Sequence, residues 1–329
     1  MKWPLSDQTL NLRSQRLLLA VVLLVLSLVS LMMAPGGQLA VPTSDTLSIV
    51  QELRLPRLLL TILCGGSLGL AGAALQGYSH NPLADAGLLG INSWAALGAV
   101  IAFYFGPVAV LAWWMPLGGM IGAGVGLLAL ALIGRRQLSM TSFILTGVAL
   151  TALASSLTSL ALNLAPNPFA AMELIYWLMG STTDKGLSQV LLITPFVLVG
   201  WIILLSTGKA LHAWSLGQSV ARTLGVKPAT LHRKLLLGCG LCVGASIAMT
   251  GAIAFVGLAV PHLLRPWVRG RADHLLWHST LGGALLLVAA DLICKIASST
   301  TELRLGVVTA LLGSPFLFML LYRQRGGLQ

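Results

Sequence analysis

Apolar residues dominate long stretches of this chain, and its polar positions fall in short breaks between them. Runs such as LLLAVVLLVLSLVSLMM show no alternation of apolar and polar residues, so they do not suit a spanning β-barrel, whose strands alternate. Stretches of this length and character read as helices that cross a lipid bilayer. Ten spans are predicted, at about 16–34, 57–78, 86–105, 109–133, 141–164, 188–206, 233–253, 256–268, 274–297 and 306–322. The eighth is too short for a straight crossing. It follows Gly251 and contains Gly257 and Pro261, which predicts a broken or partial helix. The expected fold class is all-α: a polytopic membrane protein of about ten transmembrane helices, one domain over residues 1–329.

Composition agrees. Of 329 residues 57% are hydrophobic and 9% charged, with a mean hydropathy of +0.90; a soluble domain carries about a quarter charged residues. An even number of spans puts both termini on one side. Assigning them to the cytoplasm leaves outside only Arg54, Arg57, Lys185, Lys295 and Arg304 of the twenty basic residues, a strong positive-inside bias. That bias accounts for the net charge of +11 without nucleic acid, for which no long polar segment is present. Lys2, Arg13 and Arg16 before the first run resemble the start of a signal peptide. The run is long enough to span, however, and Ala34-Pro35-Gly36-Gly37 is a poor cleavage site, so a retained first helix is expected. Cys64, Cys239, Cys242 and Cys294 lie within apolar runs and read as buried thiols; the Cys239–Cys242 spacing lacks a second pair for a metal. In the second span Gly65, Gly66, Gly69, Gly72 and Gly77 predict close helix packing.

The longest cytoplasmic segment, about 207–232, reads as short helical stretches broken at Gly217, Gly225 and Pro228. Its apolar positions Val220, Leu224 and Val226 suit a groove on a cytosolic partner, or the whole segment lies on the bilayer surface.

Candidate chemistry is sparse. No G-x-x-x-x-G-K-[ST] occurs; Gly208-Lys209-Ala210 comes nearest and lacks the hydroxyl that would hold magnesium. The spans hold one acid, Asp291, and one deep histidine, His262. Asp291 lies four residues before Lys295, so the two share a helix face. The pair reads as a packing contact, or as the proton site of a secondary carrier. His80, His212, His232, His274 and His278 fall near helix ends or in loops, and no nucleophile–base pair or metal cluster is suggested. Arg54 and Arg57 flank Pro56 just before the second span; by position they anchor helix ends by snorkelling or pair with carboxylates of a soluble partner.

Six segments together resemble one family. RLPRLLLTILCGGSLGLAGAALQG, NPLADAGLLGINSWAALGAV, YWLMGS, ARTLGV, GAIAFVGLAVPHLLR and TELRLGVVTALLGSPFLFMLL occur in the order found in permeases of the iron-chelate and vitamin B12 type of ABC importer, and they extend over most of the chain. The resemblance implies a vitamin B12 importer permease-like bundle in a bacterial inner membrane. It implies a second permease copy, usually identical, two cytosolic ATP-binding subunits that hold ATP and magnesium, and an extracytoplasmic substrate-binding protein. This chain would bind no cofactor and catalyse nothing itself. Arg54, Arg57 and Lys295 match residues that receive glutamates of the binding protein, against the snorkelling reading. Ala221, Arg222, Leu224, Gly225 and Val226 match the ATPase-coupling element. Asn81 and Leu83 match one cytoplasmic gate, Met140 and Thr141 another, and the fifth and tenth spans would line the pathway. Where many relatives read Glu-Leu-Pro, this chain has Glu302-Leu303-Arg304, adding a cation near the outer mouth. Ferric siderophore is the first substrate expected, haem or cobalamin the next, molybdate after those.

Overall fold

The computed structural model describes residues 11–34, 36–38, 44–106, 111–134, 140–165, 168–297 and 303–325. Lys2, Pro35 and Glu302, named above, lie outside them. In chain order the α-helices are α1 (Leu12–Met32), α2 (Ser44–Ile49), α3 (Leu55–Ser79), α4 (Ile91–Phe105), α5 (Leu111–Gly134), α6 (Met140–Asn163), α7 (Pro168–Leu178), α8 (Leu187–Ser206), α9 (Gly208–Ser215), α10 (Gln218–Thr223), α11 (Pro228–Thr250), α12 (Val256–Leu264), α13 (Ala272–Ala297) and α14 (Leu305–Arg325). Each predicted span falls on one of these. Among the described residues seven helices are long and apolar enough to cross a membrane, while α4 (Ile91–Phe105) and the Leu305–Met319 part of α14 are apolar over a shorter length.

Boundaries moved for local reasons. The third predicted span breaks because Gly90, at φ 76, closes a short turn over Ala86–Leu89 before α4 begins. The seventh starts a turn early because Pro228, whose missing N–H costs nothing there, opens α11. The eighth is the nine-residue α12, as short as expected. Helices α2 and α7 were not predicted. α7 (PFAAMELIYWL) is too short to read as a span, and its apolar positions match no other period clearly.

α3 is the central post: in its most apolar window 83% of residues are buried, against 22% for α1. It packs along α13, α12 and α11. Lipid supplies no hydrophobic drive between helices, so close approach must come from small residues. A Cβ on Gly65 would come within 2.5 Å of the Gly283 carbonyl of α13, and one on Gly72 would overlap the Gly257 backbone of α12. Gly66 instead makes room for the Trp201 ring, whose Nε1 donates to Ser67 Oγ at 2.9 Å. All four cysteines are free and buried.

Between α11 and α12 the backbone is irregular from Gly251 to Phe255, with positive φ at Gly251 and Phe255. Irregular backbone at membrane depth must find partners within the protein. Here Gly251 N–H donates to the Ile247 carbonyl at 2.9 Å, and the Thr250 carbonyl just before the segment accepts from Ser181 N–H at 2.7 Å.

Candidate functional site

The predicted site residues gather at the two ends of the bundle. At one end α1 finishes against α3 and α13. Its last carbonyls lack intrahelical donors, and basic side chains are the natural partners for a helix C-terminus. Arg54, in the π-helical turn Val50–Arg54 that leads into α3, donates to the Leu31 carbonyl at 2.9 Å. Lys295 of α13 donates to the Ser30 carbonyl at 3.0 Å and to Ser30 Oγ at 2.7 Å. In return Gly36 N–H donates to the Lys295 carbonyl at 3.0 Å, capping α13.

Asp291 joins these elements. Its Oδ1 accepts from Arg57 Nε at 2.8 Å, from Arg57 Nη2 at 2.7 Å and from Thr182 Oγ1 at 3.2 Å. Its Oδ2 lies 3.4 Å from Lys295 Nζ. The expected Asp291–Lys295 pair is therefore present, but Arg57 is the closer partner. Side-chain exposure is 2% for Asp291, 4% for Lys295 and 19% for Arg57. Lys295 does not present its ammonium to solvent: an ammonium has three N–H groups, and three acceptors already surround it. Two cations share one carboxylate, which leaves positive charge in excess. Thr182 and Ser30 carried no sequence signal, Thr182 being one of three hydroxyl residues in a loop and Ser30 one of two in an apolar run. Arg304 lies over the Tyr176 ring of α7, its guanidinium carbon 5.6 Å from the centroid.

At the opposite end the segment after α8 forms two short helices, α9 and α10, joined at Gly217 (φ 109) and followed by a turn at Gly225 (φ 84). The breaks fall where Gly217, Gly225 and Pro228 predict, but 228–232 belongs to α11. Val220 and Leu224 are exposed, Leu224 at 63%. Arg222 and Gly225 are also exposed. Ala221 is fully buried, and Val226 packs on the core instead of facing outward with Leu224. A cavity of about 460 Å³ lies between this turn and the start of α11, with Lys209, Lys227 and Lys234 in its lining.

Beside it α3 ends at His80, a non-glycine in the left-handed region (φ 53). Asn81 follows and makes an Asx turn, its Oδ1 accepting from Leu83 N–H at 2.9 Å. This turn touches the α9 region directly. Trp214 stacks on Tyr78 (centroids 5.5 Å apart, planes 16°) and donates from Nε1 to the Tyr78 carbonyl at 3.1 Å. His80 Nε2 donates to the Trp214 carbonyl at 3.1 Å, and Tyr78 OH lies 3.2 Å from His232 Nδ1 of α11. Sequence reasoning missed Trp214 and Tyr78. The available signal was the pair Leu211 and Trp214, three apart on one face of a short helix. Met140 and Thr141 open α6, and their side chains lie outside the described residues.

Helix order and glycine seams like these recur in known proteins. A model described as the FecCD transport family matches residues 17–323. The vitamin B12 import system permease protein BtuC of Klebsiella pneumoniae subsp. pneumoniae is 38% identical over 323 residues, covering 95% of this chain and 96% of that one. BtuC of Salmonella arizonae is 38% identical over 320 residues, covering 94% and 95%. A solved chain described as of metal-chelate ABC-transporter type, in an inward-facing conformation, superposes with a TM-score of 0.87 at 29% identity, covering 94% of this chain and 99% of that one. PsaBC of Streptococcus pneumoniae, solved with a Fab, shares the fold at TM-score 0.56 and 16% identity over 80% and 89%. With a family match that takes in α3, α13 and both ends of the bundle, this chain belongs to the FecCD transport family and is the permease component of an ABC importer.

Proposed function

We propose that this permease imports a metal chelate across a bacterial inner membrane as a pair of identical copies, with both termini cytoplasmic. The observation that carries this reading is the surface of α6. Only 22% of its apolar window is buried, and it leaves two kinds of side chain uncovered. Leu145, Leu153 and Leu160 are exposed, which suits burial against a second copy. Ser155 and Ser159 are also exposed and continue the row from Thr151 at a spacing of four, with Ser155 Oγ reaching Ser93 Oγ of α4 at 3.4 Å. A row of hydroxyls on an uncovered, otherwise apolar helix suits a water-filled pathway better than lipid.

The excess positive charge around Asp291 suits docking of an acidic face of a binding protein on the outer side. Arg54 and Arg57 would make the contacts, with Lys295 adding charge from beneath. Arg222, Leu224 and Gly225 would meet the ATPase, where ATP and magnesium act, while Ala221 and Val226 hold the segment to the bundle. Asn81 and Leu83, with Met140 and Thr141, would close the cytoplasmic side of the pathway. The sequence resemblance ranks ferric siderophore first among chelates. Relatives named for vitamin B12 favour cobalamin as a second reading.

Uptake of labelled cobalamin, ferric siderophores and haem by cells with and without this gene tests the reading. Selective loss of one chelate on deletion is expected and names the substrate. Unchanged uptake of all three, in cells without a redundant importer, would remove the metal-chelate assignment.

A further inference from the structure

We infer that Trp214 is the positioning residue through which the coupling segment sets the gate turn at Asn81–Leu83. The inference rests on the coupling and gate roles proposed above and names the link between them. Three observations carry it. First, α10, with its buried Ala221, packs on α9, and α9 carries Trp214, so displacement of the exposed Leu224 turn bears on that side chain. Second, Trp214 grips both sides of the end of α3: its indole N–H holds the Tyr78 carbonyl, and its own carbonyl holds the His80 ring. Third, His80 occupies a left-handed conformation that is unfavourable for a non-glycine residue. Such a residue persists when its surroundings fix it. Here the contact that fixes the His80 side chain comes from the coupling segment, one residue before Asn81.

A shift of α9 that withdraws the Trp214 carbonyl removes the restraint on His80, and the Asx turn at Asn81 moves with the relaxing backbone. The gate turn thus has two arrangements, and the position of Trp214 selects between them.

The test uses the permease with its own ATPase subunits in lipid nanodiscs. The four natural cysteines are buried, so Leu83→Cys, which keeps both Asn81 and the backbone N–H that Asn81 Oδ1 accepts from, supplies the thiol for a membrane-impermeant maleimide. Its labelling rate on this chain is measured without nucleotide and with ATP plus orthovanadate. In the Leu83→Cys parent the rate changes at least about fivefold, the low end of coupling between linked sites. Trp214→Leu keeps the carbonyl that meets His80 but removes the stack and the indole N–H that fix α9, and with it that carbonyl, to the end of α3; the nucleotide response is lost while assembly and ATP hydrolysis persist. Trp214→Phe keeps the stack on Tyr78 and removes only the N–H, and cuts the response at least about twofold. An undiminished response in an assembled Trp214→Leu overturns the link and leaves the gate role intact. No response in the parent overturns the gate role of the Asn81–Leu83 turn and the link with it. Should Trp214→Leu fail to assemble, Trp214→Phe decides: a reduced response supports the link and an unchanged one overturns it.

Discussion

The two ends of the bundle are fastened by different physics. At the Asp291 end three charged side chains interlock α1, α3 and α13, and the acid and the ammonium are almost fully buried. At the Trp214 end the fastening is neutral: one ring stack, an indole donor, a histidine on a carbonyl, and a phenol beside a histidine. Breaking a buried ion pair by removing one partner costs about 3–5 kcal/mol. A neutral hydrogen bond is worth about 1 kcal/mol and an aromatic pair about 0.5–1.5 kcal/mol. Under the roles proposed above, one end holds its shape while a partner docks and gains from the first arrangement, and the other changes shape on each ATP cycle and needs contacts that release one at a time, as in the second.

The largest effect follows from removing Asp291. Asp291→Ala leaves Arg57 and Lys295 facing each other with the acid gone, and stability falls by about 3–5 kcal/mol, read as a shift of the denaturation midpoint in detergent. The triple variant Arg57→Gln, Asp291→Asn, Lys295→Met removes all three charges and recovers most of that loss. A single-variant loss below about 1 kcal/mol would show that the cluster is not a clamp.

Next in size is Trp214→Leu. It removes the stack and one hydrogen bond, so the stability loss is about 2 kcal/mol, smaller than for Asp291→Ala. Under the link inferred above, uptake falls further than that loss explains, because the side chain that fixes α9 to the end of α3 is gone. Leu224→Asp separates the two quantities more cleanly. Leu224 is 63% exposed, so stability stays within about 0.5 kcal/mol. Uptake drops about tenfold or more, because an apolar anchor at an interface is worth about 2 kcal/mol. Unchanged uptake in this variant would remove the coupling role from the exposed turn.

Much of this was legible in the sequence where the physics is local. Each predicted apolar run falls on a helix, and seven of the helices among the described residues are long and apolar enough to cross a membrane, because a spanning helix needs a long apolar run whatever it packs against. Gly217, Gly225 and Pro228 marked the breaks of the segment after α8, because each restricts or frees its own backbone. What sequence reasoning missed depends on residues far apart in the chain. Asp291 and Lys295 are four residues apart and were visible as a pair, whereas Arg57 lies 234 positions away from Asp291. The inward turn of Val226 and the grip of Trp214 on α3 are likewise set by packing between α9, α11 and α3, which no spacing within one segment encodes.

The smallest effect is the sharpest test of how local the charged end is. Arg304 adds a cation near the Asp291 end, and two roles are open to it. If the end works as a diffuse positive field, each cation contributes similarly to docking, and Arg304→Ala lowers uptake as much as Arg57→Ala, with the same relief at high salt. If the end works as a built cluster, Arg304 is held by Tyr176 and serves α7 instead. The second outcome is expected, because the guanidinium lies over the ring at 5.6 Å. Arg304→Ala then costs about 0.5–1 kcal/mol of stability, the worth of an exposed cation–π contact, and Tyr176→Leu costs the same, while the double variant adds little. Uptake stays within about twofold of the parent across this cycle. A drop in uptake equal to that of Arg57→Ala would replace the cluster with the field, and docking would then be governed by net charge rather than by the geometry around Asp291.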